Sequence, residues 1–252
     1  MGPPTTKQAN VFSGVRVFYR EQGNAVNAPT ILLLRGFPSS SHQFRNLMPL
    51  LATKYRVVTP DLPGFGFTEA PSNFVYTFES LTATVADFLD MLEIQKSTMY
   101  IFDYGAPVGL RLALQRPDAI QAIITQNGNA YLEGFGAAWQ PLKDFWVSDD
   151  SLEDRKKIED AMLTFEAIKF QYENGTLDVT RVPFFAIWGK NDVFFIPAGA
   201  EAFKRDLPNA EIKLIDAGHF AVESDTELIA QDILTFLIEK NLWELDVGMG
   251  VM

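Results

Sequence analysis

Three short stretches of this chain bring together residues able to make and break covalent bonds. The first is Phe102-Asp103-Tyr104-Gly105-Ala106-Pro107, the second Trp188-Gly189-Lys190-Asn191-Asp192, and the third Asp216-Ala217-Gly218-His219-Phe220. Each follows an apolar run and contains a glycine, as a sharp turn leaving a strand would. A carboxylate lifted on such a turn, with a helix N-terminus behind it, is held ionised and can attack carbon to form an ester. An imidazole can then activate water against that ester, and a second carboxylate can orient the imidazole. In that scheme Asp103 is the nucleophile, His219 the base and Asp192 the orienting acid. Asp is also favoured as a helix N-cap, so Asp103 could instead serve a structural purpose. Gln126-Asn127, at another strand end, offers no carboxylate that could replace Asp192. His42, among Ser39-Ser40-Ser41, is expected to cap or to face solvent.

The elements around these turns set their geometry. Val15–Arg20 alternates as a strand, while Thr30–Leu34 and Tyr55–Thr59 are continuous apolar runs of the kind buried on both faces of a sheet. Leu81, Val85, Phe88, Leu89 and Leu92 recur at helical spacing between Phe78 and Leu92. A strand follows at Thr98–Phe102, then a helix at Ala106–Gln115, in which Pro107 suits the first turn, and a strand at Ile120–Thr125. Later strands at Val182–Trp188 and Glu211–Ile215 flank a helical stretch, Ala198–Leu207, and an amphipathic helix at Thr226–Lys240 closes the series. Alternating strands and helices imply a mainly parallel sheet with helices on both faces. In such a sheet the carboxyl ends of the strands form the ligand edge, which puts Asp103, Asp192 and His219 on the same side. The section 127–181 interrupts the alternation with Tyr131, Trp139, Trp146, Tyr172 and a helix expected from Leu152 to Tyr172. We expect it to form a small lid (127–181) over a core made of residues 1–126 and 182–252.

The composition narrows the function further. In 252 residues, 21 Lys and Arg face 32 Asp and Glu, a net charge of −11, and 47% of residues are hydrophobic. That suits one globular domain with a large core and argues against a nucleic-acid partner, which needs clustered cations. With no cysteine and two histidines, a disulfide framework, a thiol nucleophile and a multi-histidine metal site are excluded. No apolar run reaches membrane-spanning length, and no secretory leader is visible. A cytoplasmic location follows as the expectation. Met1–Thr6 formally matches an acylation pattern, but Pro3 follows the glycine, and a disordered start is expected.

With Gly36-Phe37-Pro38 and Asp61-Leu62-Pro63-Gly64-Phe65-Gly66 added to the three turns, the chain resembles the α/β-hydrolase superfamily from about Val15 to Leu237. It is closest to the branch of epoxide hydrolases and haloalkane dehalogenases, which carries aspartate in place of the elbow serine. The resemblance implies an α/β-hydrolase fold, with a mostly parallel central sheet, helices on both faces and a small helical lid inserted after the sixth strand. It implies an oxyanion hole made by the backbone N–H groups of Phe37 and Tyr104, and no metal or organic cofactor. It also implies a pocket for a small hydrophobic substrate, lined by Arg35, Phe37, Tyr104, Tyr131, Trp139 and Tyr172. Tyr131 and Tyr172 are its candidates for protonating an opening epoxide oxygen; each could equally be a packing residue. Halide donors common in dehalogenases are replaced here by Tyr104 and Phe37, and Trp139 and Trp146 are the only indoles in the insertion. The reaction implied is therefore hydrolysis of an epoxide through an aspartyl ester. Dehalogenation by the same triad is the alternative, and a non-catalytic binding protein on the same fold a further one. Neither membrane nor nucleic acid enters, and a homodimer is the assembly left open.

The chain departs from that branch in two places. Arg35 stands where histidine usually braces the oxyanion loop. Being larger and always charged, it is expected to turn toward the lid or solvent or to pair with an acid, and Arg35→His is expected to raise activity. The lid is also short, which would leave the pocket wetter.

Overall fold

The computed structural model describes residues 3–24, 28–140, 144 and 182–242. Eight strands form one sheet: β1 (Thr5–Asn10), β2 (Arg16–Gln22), β3 (Thr30–Leu34), β4 (Arg56–Pro60), β5 (Ser97–Phe102), β6 (Ile120–Gln126), β7 (Phe184–Gly189) and β8 (Glu211–Ile215). Their order across the sheet is β1-β2-β4-β3-β5-β6-β7-β8. β2 runs antiparallel to β1 and β4, and every other pairing is parallel.

Alternation along the central strands divides the core into two layers. Leu32, Leu34, Met99, Ile101, Ala186 and Trp188 face one side, while Ile31, Leu33, Tyr100, Phe102, Phe185 and Ile187 face the other. Helices α2 (Phe78–Met91) and α3 (Gly105–Gln115) cover the first side through Leu81, Val85, Phe88, Val108 and Leu112. Helices α1 (Leu47–Leu51) and α6 (Thr226–Glu239) cover the second through Leu47, Met48, Leu51, Ile229, Ile233 and Phe236. Two shorter helices, α4 (Pro197–Ala202) and α5 (Ala221–Ser224), follow the last two parallel strands. Because both faces are covered, the central strands read as unbroken apolar runs, and β3 and β5 are buried along their whole length.

β1 begins at Thr5, so it takes in the last two residues, Thr5 and Thr6, of the start expected to be disordered. Thr5–Asn10 is almost entirely exposed and is held as an edge strand by β2 alone. The helical stretch expected at Ala198–Leu207 is instead α4 followed by a short 3-10 turn at Phe203–Arg205. The beginning of the insertion packs against the turn after β7. Phe135 bridges Phe195, Gly136 N–H donates to Phe194 O at 2.7 Å, and Ile196 N–H donates to Gly134 O at 2.9 Å. Tyr172, Trp146 and the helix expected at Leu152–Tyr172 lie outside the described residues. Among the described residues, no helix is long and apolar enough to cross a membrane.

Candidate active site

Asp103 follows β5 with φ +45, a left-handed conformation that costs about 1–3 kcal/mol in a non-glycine residue. The N-cap of α3 is Tyr104, and it makes no side-chain capping bond. Asp103 is therefore not the cap of the helix. The turn is tight: a Cβ on Gly105 would sit 2.4 Å from Leu34 O, so only glycine lets β3 and the elbow approach this closely.

The Asp103 carboxylate is gripped from two sides. Phe37 N–H donates to Oδ1 at 2.5 Å, and the Tyr104 backbone N–H also bonds the carboxylate. On the far side, His219 Nε2 lies 3.7 Å from Oδ2. Burial raises the Asp103 pKa, and the opposing pulls of His219, the two N–H groups and Arg35 do not fully cancel it.

His219 is held in turn by Asp192, whose side chain is wholly buried. An ionised carboxylate can only accept, so His219 Nδ1–H donates to Asp192 Oδ2, at 2.7 Å. Burial alone would lower the His219 pKa. The bond to Asp192 and the charges of Asp103 and Asp192 outweigh it and raise the value above 6.5. Phe102, Phe194, Phe195 and Phe220 surround the imidazole, with ring centroids 4.9–5.7 Å away. The turns bearing Asp192 and His219 are sewn together by Lys190 N–H to Ile215 O and Asn191 N–H to Ala217 O, both 3.0 Å. At the base of that seam a Cβ on Gly189 would meet Gly218 O at 2.2 Å.

Asn127 is the residue that sequence reasoning missed. Its Nδ2 donates to Asp192 Oδ2 at 2.8 Å, its Oδ1 accepts from Gly189 N–H at 2.8 Å, and its φ is +42. Its neighbour Gln126 donates to the His219 carbonyl at 3.0 Å. The end of β6 thus grips the acid and the base turn together. The position was read only as lacking a carboxylate; an amide able to donate and accept at once was the available signal.

The remaining expected residues divide. The Phe37, Phe65, Phe78 and Tyr104 rings cluster beside the elbow. Trp139 is buried against Phe195, with centroids 5.4 Å apart, and so is one ring removed from His219. Tyr131 donates its hydroxyl to Asp206 Oδ2 at 2.7 Å and packs edge-on against Phe203; it has the environment of a packing residue, not of an acid aimed at Asp103. His42 is exposed, as expected. Arg35 corrects its expectation. It is fully buried with its Cζ 3.4 Å from the Phe65 ring centroid, and it makes no ion pair with an acid among the described residues.

A parallel sheet that presents a strained elbow, an oxyanion-type N–H pair and an Asp–His couple at its carboxyl edge defines an α/β hydrolase. The chain belongs to that family, and a family model for the alpha/beta hydrolase fold matches residues 29–150. It is 41% identical to an uncharacterized hydrolase of Saccharomyces cerevisiae, over 91% of this chain and 96% of that one, in an alignment of 279 residues. A haloalkane dehalogenase of Mycobacterium marinum is 35% identical over 45% of this chain and 39% of its own. Among solved structures, an epoxide hydrolase of Vigna radiata has the same fold, with a TM-score of 0.66 and 22% identity over 95% of this chain and 99% of that one.

Proposed function

We propose that this hydrolase opens an sp³ carbon electrophile, most readily an epoxide, through an ester on Asp103. The observation that carries the reading is the split grip on the Asp103 carboxylate, with Oδ1 bonded to Phe37 N–H at 2.5 Å and Oδ2 facing His219 Nε2 at 3.7 Å. A carboxylate attacking an acyl carbon would give only an anhydride, so its useful target is a saturated carbon bearing a leaving group.

Oδ2 attacks the less hindered epoxide carbon, the C–O bond opens, and the released alkoxide takes up a proton. The ester carbonyl is then Oδ1, already seated on the Phe37 N–H, with the Tyr104 N–H also bonded to the carboxyl. His219 Nε2 removes a proton from water, the water oxygen adds to Cγ, and negative charge gathers on Oδ1, where those donors stabilise it. Collapse breaks Cγ–Oδ2, so the product leaves with the former Asp103 oxygen and the carboxylate keeps the oxygen from water. The proton held by His219 goes to the departing diol, and the second proton of the water, left on the Asp103 carboxyl, departs and restores the acid that protonated the alkoxide. Alkylation cancels the Asp103 charge that helps raise the His219 pKa, so the imidazole holds a proton less tightly when the second step needs a base.

Around this centre we propose a small apolar substrate held by Phe37, Tyr104 and Trp139, with Arg35 acting from behind rather than by contact. Tyr172 remains the candidate acid for the opening oxygen. We retain a lid drawn from residues 127–181. The dehalogenase relatives support a second reading, in which the same ester forms by loss of halide.

Intact mass spectrometry of His219→Gln after exposure to epoxides and alkyl halides tests the reading. Loss of the base should strand the ester, giving an adduct that Asp103→Asn abolishes. No adduct from the folded variant with either class of compound would count against the mechanism and favour a binding role.

A further inference from the structure

Arg35 follows β3 and is fully buried, yet among the described residues its Nε and Nη2 have no hydrogen-bond partner. Its Cζ lies 3.4 Å from the Phe65 centroid and 5.8 Å from that of Tyr104. Nη1, the one engaged nitrogen, donates to Gly36 O at 3.0 Å. That carbonyl belongs to the same peptide group whose N–H, on Phe37, donates to Asp103 Oδ1 at 2.5 Å. Ser39 adds its backbone N–H to the carbonyl at 3.0 Å, and its single hydroxyl proton is shared between that carbonyl, at 2.8 Å, and Gln43 Oε1, at 2.5 Å.

A peptide group pulled at its oxygen by a cation offers a more polar N–H at its other end. In a dry interior the effect is little screened. The Arg35 charge also acts on Asp103 directly, as one of the influences that favour the ionised carboxylate. A buried guanidinium without an acid partner costs stability, and an apolar replacement of similar length is commonly neutral or stabilising. The Phe65 face offsets part of that cost, but it does not account for the bond that the guanidinium makes to Gly36 O.

We propose that Arg35 is a positioning residue that polarises the Phe37 N–H and so favours hydrolysis of the Asp103 ester over its formation. The inference rests on the reading of Asp103 as the nucleophile. The two steps change the Asp103 charge in opposite senses. Alkylation removes negative charge from the carboxylate, so a nearby cation stabilises the starting state and restrains that step. Hydrolysis gathers negative charge on Oδ1, so the same cation lowers its barrier. A merely structural role would slow both steps together. This reverses the expectation for Arg35→His: a neutral imidazole cannot supply the charge, and ester hydrolysis should slow.

The test is rapid-quench intact mass spectrometry of the wild type, Arg35→Met, Arg35→Gln and Arg35→Lys with styrene oxide, alongside His219→Gln as the trapping control. Arg35→Met should form ester at least as fast as wild type and lose it about tenfold more slowly, so that ester accumulates during turnover. Arg35→Gln, a neutral donor that also substitutes if the methionine variant does not fold, should behave like Arg35→Met. Arg35→Lys, which keeps the charge, should lie closer to wild type. Equal slowing of both steps, or no change in either, would overturn the inference while an ester on His219→Gln left the nucleophile reading intact. Absence of ester on His219→Gln itself would remove that reading, and the inference with it.

Discussion

Asp103 and His219 are tuned against each other, and the tuning has a cost that can be measured. Burial raises the Asp103 pKa, so the folded protein binds a proton there more tightly than the unfolded chain does. Stability from this group is greatest at low pH and falls as pH rises through the folded value. His219 is raised too, and its contribution is complete below about 6.5 and lost as pH climbs through the folded value. Asp103→Asn removes the buried charge but keeps an acceptor for the Phe37 N–H. Its Tm should therefore rise relative to wild type between about pH 4 and about pH 8, as followed by thermal melts. A constant difference across that range would contradict the account. Asn127 acts at the same scale. Asn127→Ala leaves Gly189 N–H without its partner and takes from Asp192 Oδ2 one of its two donors, His219 Nδ1–H remaining, and should cost about 1–3 kcal/mol of stability. On the proposed mechanism it should also lower kcat while leaving KM nearly unchanged, checked by denaturant melts and steady-state kinetics.

At the scale of elements, the elbow depends on β3 and α3 meeting almost at van der Waals contact. Gly105→Ala puts a methyl group 2.4 Å from Leu34 O, where backbone cannot yield. A loss of about 2–4 kcal/mol is expected, read as a lower denaturant midpoint. How much of this was legible depended on burial. β3, β5 and β7 announce themselves as apolar runs because both their faces are covered, and the turns after β5, β7 and β8 were legible from their glycines. β1 has the sequence Thr-Thr-Lys-Gln-Ala-Asn, with water on nearly all of it, and its pairing to β2 leaves no periodic trace. Arg35 was misread because its seat is the face of Phe65, distant in sequence, and a linear pattern does not weigh an aromatic ring as a partner for a guanidinium. Tyr131 is similar: Asp206, which takes its hydroxyl, lies far along the chain.

Over the whole molecule, a charge of −11 surrounds a site whose described walls are largely phenyl rings, with the acidic excess outside. Such a field repels anions and leaves neutral molecules alone, and salt screens it over about 8–10 Å near physiological strength. For a neutral epoxide, kcat/KM should hardly change with added salt. For an analogue carrying a carboxylate it should increase, because screening removes the repulsion. Initial rates at several ionic strengths separate the two, and a salt-sensitive neutral substrate would contradict the picture of an aromatic-walled site with its acidic excess outside.

The central claim is that product oxygen comes from Asp103 and not directly from water. A single turnover with enzyme in excess, run in water enriched in heavy oxygen and read by mass spectrometry of both product and protein, tests it most directly. The account predicts an unlabelled diol and heavy oxygen in the peptide containing Asp103. Heavy oxygen in the diol with none in that peptide would mean that water attacks the substrate itself, and would contradict it.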